Sequence, residues 1–113
     1  MQMGDINTKD AVSQYKDYII ERGLEECKTL ISEQESETMK EFYRGSIDGF
    51  EESKSLETPD DFRKRIDELK REELEYISIY LENEDPDILK KIWYLRGLWT
   101  QLNFVYERIS IFV

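Results

Sequence analysis

The stretch Glu41-Phe-Tyr-Arg-Gly-Ser-Ile-Asp-Gly-Phe50 recurs in similar form 52 positions later as Trp93-Tyr-Leu-Arg-Gly-Leu-Trp-Thr-Gln-Leu102. The two Arg-Gly pairs align, and the apolar residues around them keep a spacing that suits one face of a helix. The repeat favours two helices that pack in equivalent ways, because glycine admits a close neighbour and arginine extends over an aromatic ring. The alternative is that Arg44 or Arg96 binds a carboxylate on a partner chain.

The composition around this repeat is that of a helical domain. A chain of 113 residues fits one domain. Glycine and proline are sparse, whereas Glu, Lys, Leu and Ile are frequent, which favours helix. Fourteen aromatic residues argue against disorder. We therefore predict an all-α fold, a single-domain bundle of about four helices spanning residues 1–113.

Both prolines of the chain begin helices in this prediction. Thr58 is expected to cap a helix whose first position is Pro59, where no backbone N–H is needed. Asp85 and Pro86 repeat the same pattern. The expected helices run over residues 59–83 and 86–111.

The first half of the chain allows three interpretations. A break near Gly23 is favoured, since glycine commonly ends helices, and it gives helices over 8–22 and 24–54. The alternatives are that the helix continues through Gly23, or that the chain breaks at Ser32–Glu37, which is polar on every side.

The last predicted helix is apolar almost all round, so it needs cover on every side. Three short helices supply limited cover, which favours contact with a protein partner or a homo-oligomer. The candidate interface residues are Trp93, Tyr94, Arg96, Phe104, Phe112 and Val113. The residues expected to be buried in the core are Phe42, Ile47, Phe62, Ile66, Trp99 and Leu102.

The chain is strongly acidic, with a formal net charge of −10. This balance excludes a broad basic face, so we expect no direct nucleic-acid binding and no binding to an anionic membrane surface. Residues 33–61 hold ten acidic against three basic side chains. These acids are read as solvated helix junctions or, alternatively, as an acidic patch facing a basic partner. The candidate patch comprises Glu33, Glu35, Glu37, Glu41, Glu51 and Glu52.

No catalytic, cofactor-binding or metal-binding constellation is found in the sequence. Histidine is absent and Cys27 is the single cysteine, which excludes histidine-based catalytic dyads and the usual zinc sites. No glycine-rich phosphate loop occurs. We expect a protein that is not an enzyme and binds no cofactor. A lone cysteine and the lack of a secretory signal favour a reducing, cytoplasmic location.

The aromatic–Arg-Gly stretches, Tyr43–Phe50 and Leu95–Phe104, resemble helices of small acidic helical proteins encoded by tailed bacteriophages. The resemblance covers about a fifth of the chain. It implies a virion accessory or a small host-directed regulator, located in the virion or the host cytoplasm. The favoured function is a non-enzymatic structural or assembly protein that acts through protein–protein contacts. The alternative is an acidic inhibitor, a nucleic-acid mimic that blocks a host or defence protein.

Overall fold

The computed structural model describes the backbone of residues 3–111 and the side chains of residues 11–111. Over these residues the chain is helical and has no strand, which confirms the all-α prediction. The four helices are α1 (Met3–Glu33), α2 (Glu37–Ser53), α3 (Pro59–Asn83) and α4 (Pro86–Ser110).

The starts of α3 and α4 follow the predicted capping pattern. Thr58 accepts a hydrogen bond from the Asp61 backbone N–H at 3.1 Å, and Asp61 accepts one in return from the Thr58 N–H at 3.2 Å. Asp85 caps α4 by accepting from the Asp87 N–H at 2.9 Å. The caps pair backbone donors that a helix start leaves without intrahelical partners.

The favoured break at Gly23 is wrong, because α1 continues through this residue. The chain instead breaks at residues 34–36, within the polar stretch considered as the alternative, and Ser36 caps α2. Gly23 serves packing: a Cβ at this position would overlap the ring of Phe50 on α2.

Helices α2 and α4 form the central pair of the fold and run in the same direction. Along the pair, Phe42 packs edge-on against Trp93 and Phe50 packs edge-on against Phe104. Between these ring contacts, the Gln101 amide donates to the Ser46 hydroxyl at 3.3 Å. Contacts thus advance together along both helices, as parallel helices require.

The repeated Arg-Gly pairs lie where these two helices cross. A Cβ on Gly45 would fall within 3.0 Å of the Tyr94 carbonyl oxygen, and one on Gly97 within 3.0 Å of the Phe42 carbonyl oxygen. Each glycine therefore contacts the backbone three residues before the other glycine. The reciprocal contacts show that the two stretches do pack in equivalent ways.

Helices α1 and α3 flank the central pair, with α1 against α2 and α3 against α4. The described Cα atoms extend over 63 × 30 × 17 Å, so the helices form an elongated, flat array. In such an array the outer face of α3 has no described helix packed against it.

The core lies along the inner faces of all four helices. Three predicted core residues, Phe62, Ile66 and Leu102, are buried as expected. The other three predicted core residues are only half-buried, and they are Phe42, Ile47 and Trp99. The prediction was wrong for these three, because a flat array leaves the edges of a helix–helix seam open to solvent.

Candidate protein-contact surface

The aromatic residues predicted to form an interface on α4 make contacts within the chain. Trp93 and Phe104 pack against aromatic rings of α2, and both are half-buried. Tyr94 donates a hydrogen bond to Asp48 of α2, and burial, followed by this carboxylate, raises the pKa of the phenol. Phe112 and Val113 lie outside the described residues. Helix α2 thus covers much of the apolar surface that had suggested a partner for α4.

Arg96 has a carboxylate partner within its own chain, Glu73 of α3. The guanidinium donates from Nε at 3.0 Å and from Nη2 at 2.8 Å to the Oε1 atom of Glu73. The other carboxylate oxygen accepts a hydrogen bond from the Trp99 indole N–H at 2.7 Å. Above the same indole, the Lys70 ammonium lies 4.7 Å from the ring centroid. These four residues join α3 to α4 through charged and aromatic groups.

Glu73 is a buried acid, with only 4% of its surface exposed. It lies among many exposed acids of α3, and its own helix gives no indication of a partner. The available signal was the register: Glu73 follows Phe62, Ile66 and Leu69 on the buried stripe of α3, at helical spacing. A carboxylate on that stripe requires donors from a neighbouring helix.

Much of the candidate acidic patch is paired with basic side chains. Glu37, Glu41 and Glu51 of α2 each form an ion pair with the basic residue three positions later in the chain. Glu52 accepts a hydrogen bond from the Arg65 Nε atom of α3 at 2.7 Å. Glu33 and Glu35 are exposed near the connection between α1 and α2. Local pairing therefore leaves little of this patch as an unmixed negative surface.

Among the described residues, three of the five exposed large hydrophobic side chains lie on the second half of α3. Leu74 is 63% exposed and Leu81 is 74% exposed, while Ile77 between them is half-buried. Their spacing of three and four residues aligns them on one side of the helix. Lys70 precedes Leu74 by one turn on the same stripe and reaches Trp99 of α4. We call the set Lys70, Leu74, Ile77 and Leu81 the α3 surface.

Acidic residues border the α3 surface at its far end. Glu82, Glu84, Asp85 and Asp87 are exposed around the connection between α3 and α4. No ion pair involving any of the four is found among the residues whose side chains are described. The α3 surface thus begins at the basic Lys70, continues through three apolar residues, and ends beside acids that form no ion pair among the described side chains.

A separate cleft of about 330 Å³ lies between α1 and the central pair. Its lining includes Gly23, Cys27, Tyr43, Phe50 and Phe104. Burial, followed by the charge of Glu26, raises the pKa of the Cys27 thiol to about 11. The thiol is therefore protonated at neutral pH, as expected for a core cysteine and not for a nucleophile.

We expect Cys27 to react slowly with iodoacetamide in the folded protein. At pH 8 the raised pKa lowers the thiolate fraction by about 100-fold relative to an unfolded chain, whose thiol pKa is near 9.0. Alkylation rates measured with and without urea test this difference, and equal rates would contradict it. Because the folded-state pKa is the higher one, this group also stabilises the fold below pH 9 and loses that contribution as the pH rises towards 11.

Comparisons with known proteins identify no relative for this chain: no family model, no curated protein and no solved structure matches it. Within the described residues, no group of acidic or cysteine side chains is arranged to hold a metal ion. None of the described helices has the length and apolar character needed to cross a bilayer.

Proposed function

We propose that this chain is a non-enzymatic structural or assembly protein that acts through protein–protein contacts at the α3 surface. The observation that carries the proposal is the exposure of Leu74 and Leu81 on one stripe of a helix whose outer side has no described neighbour. Single exposed leucines are common on protein surfaces, but here two aligned leucines lie on either side of a half-buried isoleucine, which makes a short apolar strip.

The strip has the form of a contact site. Large apolar side chains dominate interface energetics, and Trp99 is available at its edge beneath Lys70. The Glu73–Arg96 pair beside it fixes Trp99 through the indole N–H. A rigid anchor loses little conformational entropy on binding, which favours association.

The proposed setting is that of an accessory protein of a tailed bacteriophage, in the virion or the host cytoplasm. It rests on the resemblance of the aromatic–Arg-Gly stretches to small acidic phage proteins. The packing of Gly45 and Gly97 accounts for the same stretches by structure alone. The contact function at α3 therefore stands independently of this setting.

The alternative function, an acidic inhibitor that mimics nucleic acid, has less support. A mimic presents an ordered array of negative charge, whereas the acids of α2 are paired with Lys40, Arg44 and Lys54. The exposed acids at residues 82–87 are the remaining support for the inhibitor function.

Replacing Leu74 and Leu81 together with Asp tests the proposed contact. We expect the double variant to lose association, either with itself or with a protein recovered from the native source, because the change puts charge where the partner offers apolar contact. Molar mass by light scattering and retention of partners from extracts are the measurements. Circular dichroism should show unchanged helix content, since both side chains are exposed.

Ile111→Asp is the matched control, because Ile111 is 74% exposed, as Leu81 is, but lies at the end of α4. It should behave as the unmodified protein. If the α3 double variant and the Ile111 variant associate equally well, the α3 surface is not the contact site and the proposal fails.

A further inference from the structure

We infer that the α3 surface binds a second copy of this chain, with the two α3 helices antiparallel about a twofold axis near Ile77. The inference rests on the proposed function and names its partner. Three observations support it. They are the distribution of charge along α3, the positions of four exposed residues along the helix (Arg71, Leu74, Leu81 and Glu82), and the absence of described ion pairs at Arg71 and Glu82.

Charge is divided sharply along α3 and the connection that follows it. Residues 63–71 hold five basic and two acidic side chains, whereas residues 72–87 hold seven acidic side chains and no basic one. A parallel pair of such helices would align like charges. With the axis near Ile77, an antiparallel pair instead brings Lys70 and Arg71 of each copy to the level of the acids at positions 82–85 of the other, as the self-complementarity of a twofold interface requires.

The exposed residues fit this arrangement in register. Leu74 and Leu81 are centred between positions 77 and 78, and Arg71 and Glu82 are centred between positions 76 and 77. A twofold axis at that level brings Leu74 opposite Leu81 of the second copy, and Arg71 opposite its Glu82. Arg71 and Glu82 are eleven positions apart, about three helical turns, so both lie on the same flank of the stripe.

Arg71 and Glu82 are also available for such a pair. Arg63 and Arg65 already form ion pairs with Asp60, Glu52 and Glu68. Arg71 instead makes a 3.5 Å contact from Nε to the backbone carbonyl of Asp67. Neither Arg71 nor Glu82 takes part in an ion pair among residues 11–111.

The net charge of −10 opposes association but acts over longer distances than these contacts. At physiological ionic strength the Debye length is about 8 Å, so charge elsewhere on the two copies is largely screened. The apolar strip is short, and a contact of this size is typical of weak association. We therefore expect a dimer with a dissociation constant on the order of micromolar.

Charge exchange between two variants tests the antiparallel register. Arg71→Glu places two acids opposite each other in a homodimer, and Glu82→Arg places two bases opposite each other. Each variant alone should dimerise about tenfold more weakly than the unmodified chain. In a heterodimer of the two variants, position 71 of each chain again faces the opposite charge at position 82 of the other chain. The mixture should form heterodimers with near-original affinity, measured by sedimentation equilibrium with one variant fluorescently labelled.

Each other outcome overturns the inference in a distinct way. A dimer that neither variant weakens, or that the mixture does not restore, excludes the antiparallel α3 register. The unmodified chain could instead remain monomeric at millimolar concentration and bind another protein through Leu74 and Leu81. That result would show that the partner is not a second copy, and it would still support the proposed function. Association that survives both the charge changes and the leucine replacements overturns both. Ile111→Asp serves again as the control for nonspecific effects of a surface aspartate.

Discussion

Gly45→Ala is expected to destabilise the fold by about 3 kcal/mol, although alanine is the better helix former by about 1 kcal/mol. The added methyl group would overlap the backbone carbonyl of Tyr94, and Gly97→Ala would overlap that of Phe42 in the same way. Backbone cannot rotate aside as a side chain does. The central helices must move apart along their whole contact, which loosens the packing on both sides. Urea denaturation of each variant measures the change in the free energy of unfolding.

The double variant of Gly45 and Gly97 distinguishes this mechanism from two separate local clashes. Because the two methyl groups push on one helix pair, separation caused by the first relieves the second. The double variant should therefore cost clearly less than the sum of the two single changes. Gly23→Ala is the control, since its clash is with the end of the Phe50 ring, a side chain that can move. Equal costs for Gly23→Ala and Gly45→Ala would contradict the role of close backbone contact.

Glu73→Ala is expected to cost about 2 kcal/mol, the second-largest effect. The change leaves the partly buried Trp99 indole N–H without its acceptor and opens a void between α3 and α4. The loss of Arg96 as a partner contributes little, because that side chain is 44% exposed and can turn to water. The change in the free energy of unfolding, again from urea denaturation, is the measurement.

Two comparisons identify the indole contact as the cause. Glu75→Ala, at an exposed acid of the same helix, should leave stability nearly unchanged. In a Trp99→Phe background, which has no N–H to satisfy, Glu73→Ala should cost markedly less. An unchanged cost in that background would show that the hydrogen bond to the Trp99 indole is not the cause of the loss.

The sequence predicted the elements whose boundaries depend on nearby residues. A threonine or aspartate before proline marks a helix start by chemistry confined to one turn, and α3 and α4 begin where that chemistry placed them. Gly23 shows the opposite case. A glycine can end a helix, or it can leave room within a helix for a neighbouring side chain. At Gly23 the second role applies because of the ring of Phe50, which lies 27 positions away in the sequence.

The candidate site was harder to predict than the fold. The sequence predicted a highly apolar α4, but it did not indicate that rings of α2, Phe42 and Phe50, contact Trp93 and Phe104 of that helix. The exposed strip was therefore expected on α4, whereas the structure places exposed leucines on α3. A surface is what remains after packing, so it depends on every contact of the chain at once.

The sequence by itself determined that this protein is helical, acidic and built around a repeated Arg-Gly element, because composition, caps and spacing act locally. Tertiary structure decided that the two glycines meet across parallel helices and that Glu73 is buried against Arg96 and Trp99. It also decided that Leu74 and Leu81 remain in solvent. The physical reason is that burial and pairing arise from contacts between distant segments. A residue type indicates whether a side chain favours burial or a polar partner. Only the packing of distant segments determines whether the side chain finds these within the chain or remains exposed to solvent or to another protein.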